Sequence, residues 1–512
     1  MSDTSDPFIG GEKPRAAFRP DELDRMVITP PLIFRLQDAA SDERFHVIID
    51  LNLDYPFGRE SARARVRELI VAARGSEGLD DVRSGGADPS QPYLFALLTA
   101  SVIREIVAVD RADVGQLGTA TSSGAIPMRG AIYRVWEDAE IQPLITRSIS
   151  TVKADAAQIS YSALGNDIVW AVLDSGIEAG HIHFLEHANL DPPKPVRHLD
   201  FTGSIGGALS DPFGHGTHVA GIIAGQLLVA KDEAPRYAMS RMRDEQNQTI
   251  THTIELRKIA GMAPQCKLVS MKVLDDCGRG RVSMIIDAIQ EIARLNDYGR
   301  RLLIHGVNLS VGYDFDPKWF ACGQSPLCVE VDRLVRSGVV VVVAAGNTGY
   351  GWANSLQRGN VSAGLTLSIN DPGNAELAIT VGATHRDMPH TYGVSYFSSK
   401  GPTGDGRMKP DLVAPGERII SCAAGNKRAT TGSLPGQLPS ASAIDYVEDS
   451  GTSMAAPHVS GIVAAFLSIR REFIGKPEEL KRIFVASATD LKRDRAFQGA
   501  GLVDLMRAIQ SV

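Results

Sequence analysis

Cysteine is scarce in this 512-residue chain: Cys266, Cys277, Cys322, Cys328 and Cys422 are widely scattered. That excludes a disulfide framework as the source of stability, and a reducing cytoplasm is the expected compartment. Cys322 and Cys328 flank the loop CGQSPLC and are expected as unpaired thiols, with no neighbouring ligands that would complete a zinc site. The opening stretch, MSDTSDPFIGGEKPRAAFRPDELDRM, is polar and acidic and has no apolar segment, so it does not read as a secretory leader. No run reaches transmembrane length, Lys and Arg form no blocks, and the net charge is −7, so neither a membrane nor a nucleic acid is an expected partner. Internal repeats and low-complexity tracts are absent as well.

What is present suffices for a large folded molecule. The chain is 44% hydrophobic and 22% charged, enough for a sizeable core and more than one domain. From about Val169 onward, short β-branched runs (IVWAVL, KLVSMKVL, LLIHGVNLSVG, GVVVVVAAGN, LAITVGAT) alternate with helical patterns at Val282 to Leu295 and Cys328 to Arg336. That alternation predicts an α/β fold, a parallel sheet with helices on both faces, whose chemistry gathers beyond the carboxyl ends of the strands. Residues 41–150 have another rhythm, with strand candidates FHVIIDLNL and GAIYRVWED, a charged amphipathic helix ESARARVRELIVAAR, and a second apolar segment YLFALLTASVIREIVAVD; they predict a small α+β module. The division expected is a polar extension over 1–40, this module over 41–150, a linker over 151–165, and the main domain over 166–512.

One serine stands out. Ser453, in EDSGTSMAAPHVSG, lies between small residues just ahead of a long apolar run, with Pro457 and His458 placed in the first turn of the predicted helix. There a proline is tolerated because the early N–H groups of a helix have no partners. A serine hydroxyl is a weak nucleophile until a base takes its proton, and the base needs a third group to fix its tautomer. His215 in DPFGHGTHVAG sits between glycines, and Asp174 in IVWAVLDSGI ends an apolar strand. Singly, these read as a helix cap, a loop histidine and a turn aspartate. Together they fall at element ends of one predicted sheet in the order Asp, His, Ser, which differs from the order and the G-x-S-x-G signature of α/β-hydrolases.

VLDSGI, HGTHVAG and GTSMAAPHVSG resemble the subtilisin-like serine proteases, the subtilase family (peptidase S8). The resemblance covers roughly residues 165–510 and takes in GMAPQCKLVSMKVLD, VNLSVG, VVVVVAAGNTG and FSSKGPTGDGRMKPDLVAPG. It implies a subtilisin-like three-layer fold and a serine endopeptidase acting on protein or peptide substrates. Asp174 would be the orienting carboxylate, His215 the general base and acid, and Ser453 the nucleophile. Asn347 and the Ser453 backbone N–H would form the oxyanion hole. Ser310, Val311 and Gly312 would make one wall of the pocket for the residue before the cut, and Ala344, Ala345 and Gly346 the other. His218 and His458 are expected to be packed structural histidines, and Asp314 and Asp316 solvated loop carboxylates.

The resemblance also implies that the N-terminal module is a ferredoxin-like, propeptide-type domain acting as an intramolecular inhibitor, with a first cut between Glu140 and Ala157. The chemistry requires no cofactor; structural calcium, common in the family, has no assignable ligand loop here. Two other readings share these residues: a peptidyl acyl transferase using the same acyl-enzyme, and a catalytically silent scaffold. The spacings of 41 positions from Asp174 to His215 and 238 from His215 to Ser453 are long for a minimal domain. The excess lies in loops expected to shape the cleft.

Overall fold

A computed structural model of the chain describes residues 27–512 apart from 38, 41, 57, 75–81, 85–92, 118–129, 138–146, 244–248, 315–321, 356–358 and 430–443. Two compact units divide at residues 143 and 144.

In the first unit, helix α1 (Pro30–Gln37) precedes strand β1 (Arg44–Leu51), helix α2 (Gly58–Arg74), strands β2 (Val82–Ser84) and β3 (Tyr93–Thr99), helix α3 (Ala100–Leu117) and strand β4 (Ile132–Glu137). The strands pair antiparallel in the order β2-β3-β1-β4, the ferredoxin-like arrangement. Alternation along β1 buries Phe45, Val47, Ile49 and Leu51, which share a core with Ala62, Val66 and Ile70 of α2 and with Ile103 and Ile106 of α3. Leu32 and Leu36 of α1 join this core, so residues 30–37 belong to the unit and not to a polar extension. The run YLFALLTASVIREIVAVD divides between β3 and α3.

In the second unit, helices α4 (Arg147–Thr151) and α5 (Ala154–Tyr161) come first, where a linker over 151–165 is expected from sequence. Ile149, Val152, Ala154, Ala157 and Ala163 are buried in the main core, and Gln158 Nε2 donates to the Gly261 and Met262 carbonyls. Small apolar residues let these short helices pack closely, and the loss of that surface to water fixes a segment whose composition reads as a connector.

Strand β5 (Val169–Asp174), strand β6 (Leu199–Asp200), helix α6 (His215–Ile223), strands β7 (Arg236–Arg243), β8 (Thr249–Leu256) and β9 (Lys267–Lys272), helix α7 (Val282–Leu295), strand β10 (Gly306–Leu309), helix α8 (Pro326–Arg336) and strand β11 (Val340–Ala344) follow. After them come strands β12 (Tyr350–Ser355), β13 (Gly359–Gly364), β14 (Ile379–His385), β15 (Leu412–Glu417) and β16 (Ile419–Cys422), helix α9 (Gly425–Ala429), strand β17 (Ile444–Asp449) and helix α10 (Thr452–Ile469). Seven parallel strands form the central sheet in the order β15-β14-β11-β10-β5-β9-β6.

The period of two along each strand builds three layers. Trp170 and Val172 of β5, with Val340 and Val342 of β11, face the core shared with α6 and α10. Val169, Ala171, Leu173, Val341 and Val343 face α7 and α8. Helix α10 is long and apolar enough to cross a membrane, yet 83% of it is buried, as the central helix of such a sandwich requires.

The charged stretch around 231–258 contributes β7 and β8, which pair antiparallel; β7 also runs parallel to β17, in a second sheet ordered β16-β17-β7-β8. Strands β12 and β13 form a ribbon immediately after Asn347. Both segments are therefore partly sheet and not wholly loop.

Candidate active site

Three adjacent strands, β5, β10 and β11, deliver Asp174, Ser310 to Gly312, and Gly346 with Asn347 to the same end of the central sheet. Asp174 is 1% exposed and accepts the Ser175 backbone N–H at 2.7 Å. Its two carboxylate oxygens lie 2.8 and 3.0 Å from His215 Nδ1, so that nitrogen carries a proton and Nε2 is left to accept. Gly216 makes this approach possible: a Cβ there would lie 2.2 Å from the Gly176 carbonyl and 3.1 Å from Asp174 Cβ.

The His215 imidazole is held above its ordinary pKa. Burial is the largest influence and lowers it, but the charge and hydrogen bond of Asp174 outweigh burial. Asp211, which sequence reading passed over, anchors the first turn of α6. Its carboxylate accepts from Ser175 Oγ (2.8 Å), the Gly214 and Thr217 N–H groups (both 2.8 Å) and Thr217 Oγ1 (2.6 Å). An aspartate four positions before His215 and a serine after Asp174 were the available signals.

Helix α10 starts at Thr452, which puts Ser453 in its first turn, where N–H groups have no intrahelical acceptor and the positive end of the helix dipole lies. The Ser453 hydroxyl donates to the Ser310 carbonyl at 3.0 Å. Asn347 Oδ1 accepts the Thr452 N–H (2.9 Å) and hydroxyl (3.1 Å), which fixes the amide and leaves Nδ2 as a donor toward the cleft. Nδ2 and the Ser453 N–H lie 3.5 and 3.7 Å from one common point, the place a Cβ on Gly451 would take. The two nitrogens are therefore near neighbours at the start of α10. Pro457 is the sixth residue of the helix and so lies in its second turn; the sequence expectation of a first-turn proline is corrected here.

A cleft of about 400 Å³ joins these groups, lined by His215, Ser453, Asn347 and Thr452, with Phe213, Leu274 and Gly278 at one side. Ser310, Val311, Gly312, Ala344 and Gly346 all line it, but Ala345 does not. Ala345 is fully buried, its N–H is bonded to Val381 and its carbonyl to Asn370, because it still belongs to the sheet's hydrogen-bond ladder. Thr348 and Asn370 line the cleft as well and were not anticipated. Gly346 is required where it stands: its φ is +106°, and a Cβ would fall 2.5 Å from Asn370 Oδ1. Asp314 is exposed and accepts from Asn370 Nδ2 at 3.0 Å, while Asp316 lies outside the described residues.

His218 and His458 are both fully buried. His218 Nε2 donates to the Val447 carbonyl (3.0 Å) and His458 Nδ1 to the Met454 carbonyl (2.8 Å). Burial lowers their pKa values to about 3 and about 4, and that of buried His183 to about 3. All three are therefore neutral in the folded state at any moderate pH, whereas in the unfolded chain they take up protons near pH 6.5. The unfolded state thus binds more protons below pH 6.5, and stability falls as pH falls, each group costing on the order of 1 kcal/mol per pH unit. His215, raised in the folded state, contributes fully below pH 6.5 and adds no slope there. A Ser453→Ala protein is expected to unfold at clearly lower urea concentration at pH 5 than at pH 6.5; equal midpoints would contradict the buried neutral assignment.

Among the described residues no group of three or more His, Cys, Asp and Glu is placed to hold a metal ion. All five cysteines are free, Cys322 and Cys328 included.

The model of the subtilase family, peptidase S8, matches residues 165–502. Pyrolysin of Pyrococcus furiosus is 31% identical over 344 residues, covering 58% of this chain and 21% of pyrolysin, so the chain spans about a fifth of that relative. Serine protease AprX of Bacillus subtilis is 27% identical over 392 residues, 74% of each chain. Subtilisin E of the same species is 29% identical over 363 residues, 71% of this chain and 70% of subtilisin E.

Proposed function

The chain belongs to the subtilase family of serine endopeptidases, and from that premise we propose that Asp174, His215 and Ser453 are its catalytic triad. The observation that carries the proposal is the double approach of Asp174 to His215 Nδ1, which leaves Nε2 free to accept a proton in the cleft that His215 and Ser453 both line. A peptide lies extended along Ser310 to Gly312 and Gly346, adding backbone hydrogen bonds as a further strand. The Ser453 hydroxyl leaves the Ser310 carbonyl by rotation about χ1, gives its proton to His215 Nε2, and attacks the scissile carbonyl. Asn347 Nδ2 and the Ser453 N–H receive the oxyanion; His215 then protonates the leaving amine. Water, activated by the same histidine, releases the acyl group. No step calls for a cofactor.

The N-terminal unit is proposed to act as a built-in inhibitor removed by self-cleavage. Residues 147–151 and 154–157 of the expected cleavage window are helical, with Ile149, Val152, Ala154 and Ala157 in the core of the larger unit. We propose that the cut falls at 140–146, a stretch that lies outside the described residues. Intact mass of purified wild-type protein is expected to give a chain starting in that range and Ser453→Ala an uncut one; a wild-type chain starting elsewhere, or cleavage retained in the variant, overturns the zymogen reading.

Removing one oxyanion donor isolates a single step. Asn347→Ala is expected to lower kcat by about 10²–10³-fold with KM nearly unchanged, a scale established on subtilisin, a member of this family. Steady-state kinetics on a peptide substrate checks it, and an undiminished kcat removes Asn347 from the hole.

Hydrolysis itself is tested by mass spectrometry of peptide products with an amine nucleophile present. Free carboxyl termini are expected, and a majority of new amide bonds would make the enzyme a transferase.

A further inference from the structure

A proline in the second turn of α10 leaves one carbonyl without its helical donor. In an α-helix the N–H of residue 457 would bond the carbonyl of residue 453, four positions earlier. Pro457 has no N–H, and its ring also pushes that carbonyl off the helix axis. The carbonyl concerned is that of Ser453, on the residue that holds both the attacking hydroxyl and an oxyanion N–H.

Its partner comes from another strand end. Ser310 Oγ donates to the Ser453 carbonyl at 2.9 Å. A relay sets the direction of that hydroxyl: Ser460 Oγ donates to Asn308 Oδ1 (2.8 Å), which turns Asn308 Nδ2 toward Ser310 Oγ (2.9 Å). Having accepted from Asn308, the Ser310 hydroxyl has its own proton to give to Ser453. Ser310 is 4% exposed and both Asn308 and Ser460 are fully buried, so water does not stand in for any of these bonds.

We infer that Ser310 is a positioning residue for the nucleophile, its hydroxyl supplying the Ser453 carbonyl with the hydrogen bond that Pro457 withholds. This goes beyond its place in the pocket wall. Fixing the carbonyl fixes the peptide plane after Ser453 and, with it, the aim of the hydroxyl and N–H. The inference rests on Ser453 being the nucleophile.

A double-mutant cycle tests it, using wild type, Ser310→Ala, Pro457→Ala and the double variant in the full chain. The readouts are the rate of labelling by a small fluorophosphonate, which does not occupy the peptide groove, and kcat and KM on a peptide. Ser310→Ala is expected to slow labelling and kcat by about tenfold, the worth of one buried hydrogen bond, with KM within about twofold. Adding Pro457→Ala restores an N–H at position 457, and most of the lost labelling rate is expected to return.

If the two changes simply multiply, or if Ser310→Ala alters KM while labelling is untouched, the inference is overturned. Should Ser310→Ala fail to fold, Ser460→Ala tests the same relay at its far end. A two- to threefold slower labelling that Pro457→Ala cancels is then expected, and an unchanged rate overturns the inference. A wild type that does not label would remove the nucleophile reading itself, whereas normal wild-type labelling without coupling removes only the role of Ser310.

Discussion

Ser453→Ala is expected to lower kcat for peptide hydrolysis by about 10⁶-fold, the scale measured in subtilisin, a member of this family, when its serine or histidine is removed. In the proposed triad Ser453 and His215 work as one unit. Without the hydroxyl there is nothing to acylate, and without the imidazole the hydroxyl keeps its proton. His215→Ala is therefore expected to cost about as much, and the double variant no more than either alone. Residual turnover about 10³–10⁴-fold above water would come from Asn347 and substrate binding. A Ser453→Ala protein that keeps even a hundredth of wild-type turnover would mean another nucleophile is at work.

Asp174→Asn is expected to lower kcat by about 10⁴-fold, although the side chain keeps its shape. An amide at position 174 presents Nδ2 to His215 or favours the tautomer with its proton on Nε2, and either leaves no lone pair for Ser453. The pH profile gives a second reading. In the proposed mechanism catalysis needs neutral His215, so the acidic limb of kcat/KM should lie above 6.5 in the wild type, because Asp174 raises the imidazole against the downward pull of burial. In Asp174→Asn the raising influence is gone and burial remains, so the limb should move to lower pH. Kinetics from pH 5 to pH 9 check both, and an unmoved limb would mean that Asp174 does not control His215.

Much of this was legible in the sequence because the site is written in short local patterns. Asp174 ends an apolar strand, His215 has glycines on both sides, and Ser453 precedes the apolar run of α10, so each is positioned by its own neighbours. The walls of the cleft were legible for the same reason, Ala345 excepted. There the strand's ladder continues one residue past its regular end, and that pairing depends on β14 and Asn370 elsewhere in the chain.

The less legible parts depend on partners distant in sequence. Residues 151–165 lack a strong apolar stripe and resemble a connector until the main core covers Val152, Ala154, Ala157 and Ala163. Strand β7 pairs with β17, about 200 positions later, and its many charges hide its strand character. The change from β3 to α3 at Thr99 and Ala100 has no glycine or proline to mark it. Pro457 was placed one turn too early because the cap is Gly451, a residue with no side chain to mark the helix start. Asp211 was missed because one of its four donors, Ser175 Oγ, lies 36 positions earlier in the chain, which linear reading does not bring beside it.

The most direct test is to treat wild type and Ser453→Ala with a fluorophosphonate and locate the adduct by peptide mass spectrometry. One adduct per wild-type chain, on Ser453, with none on the variant, is the expected result. An adduct on another residue, or equal labelling of both proteins, would contradict Ser453 as the nucleophile.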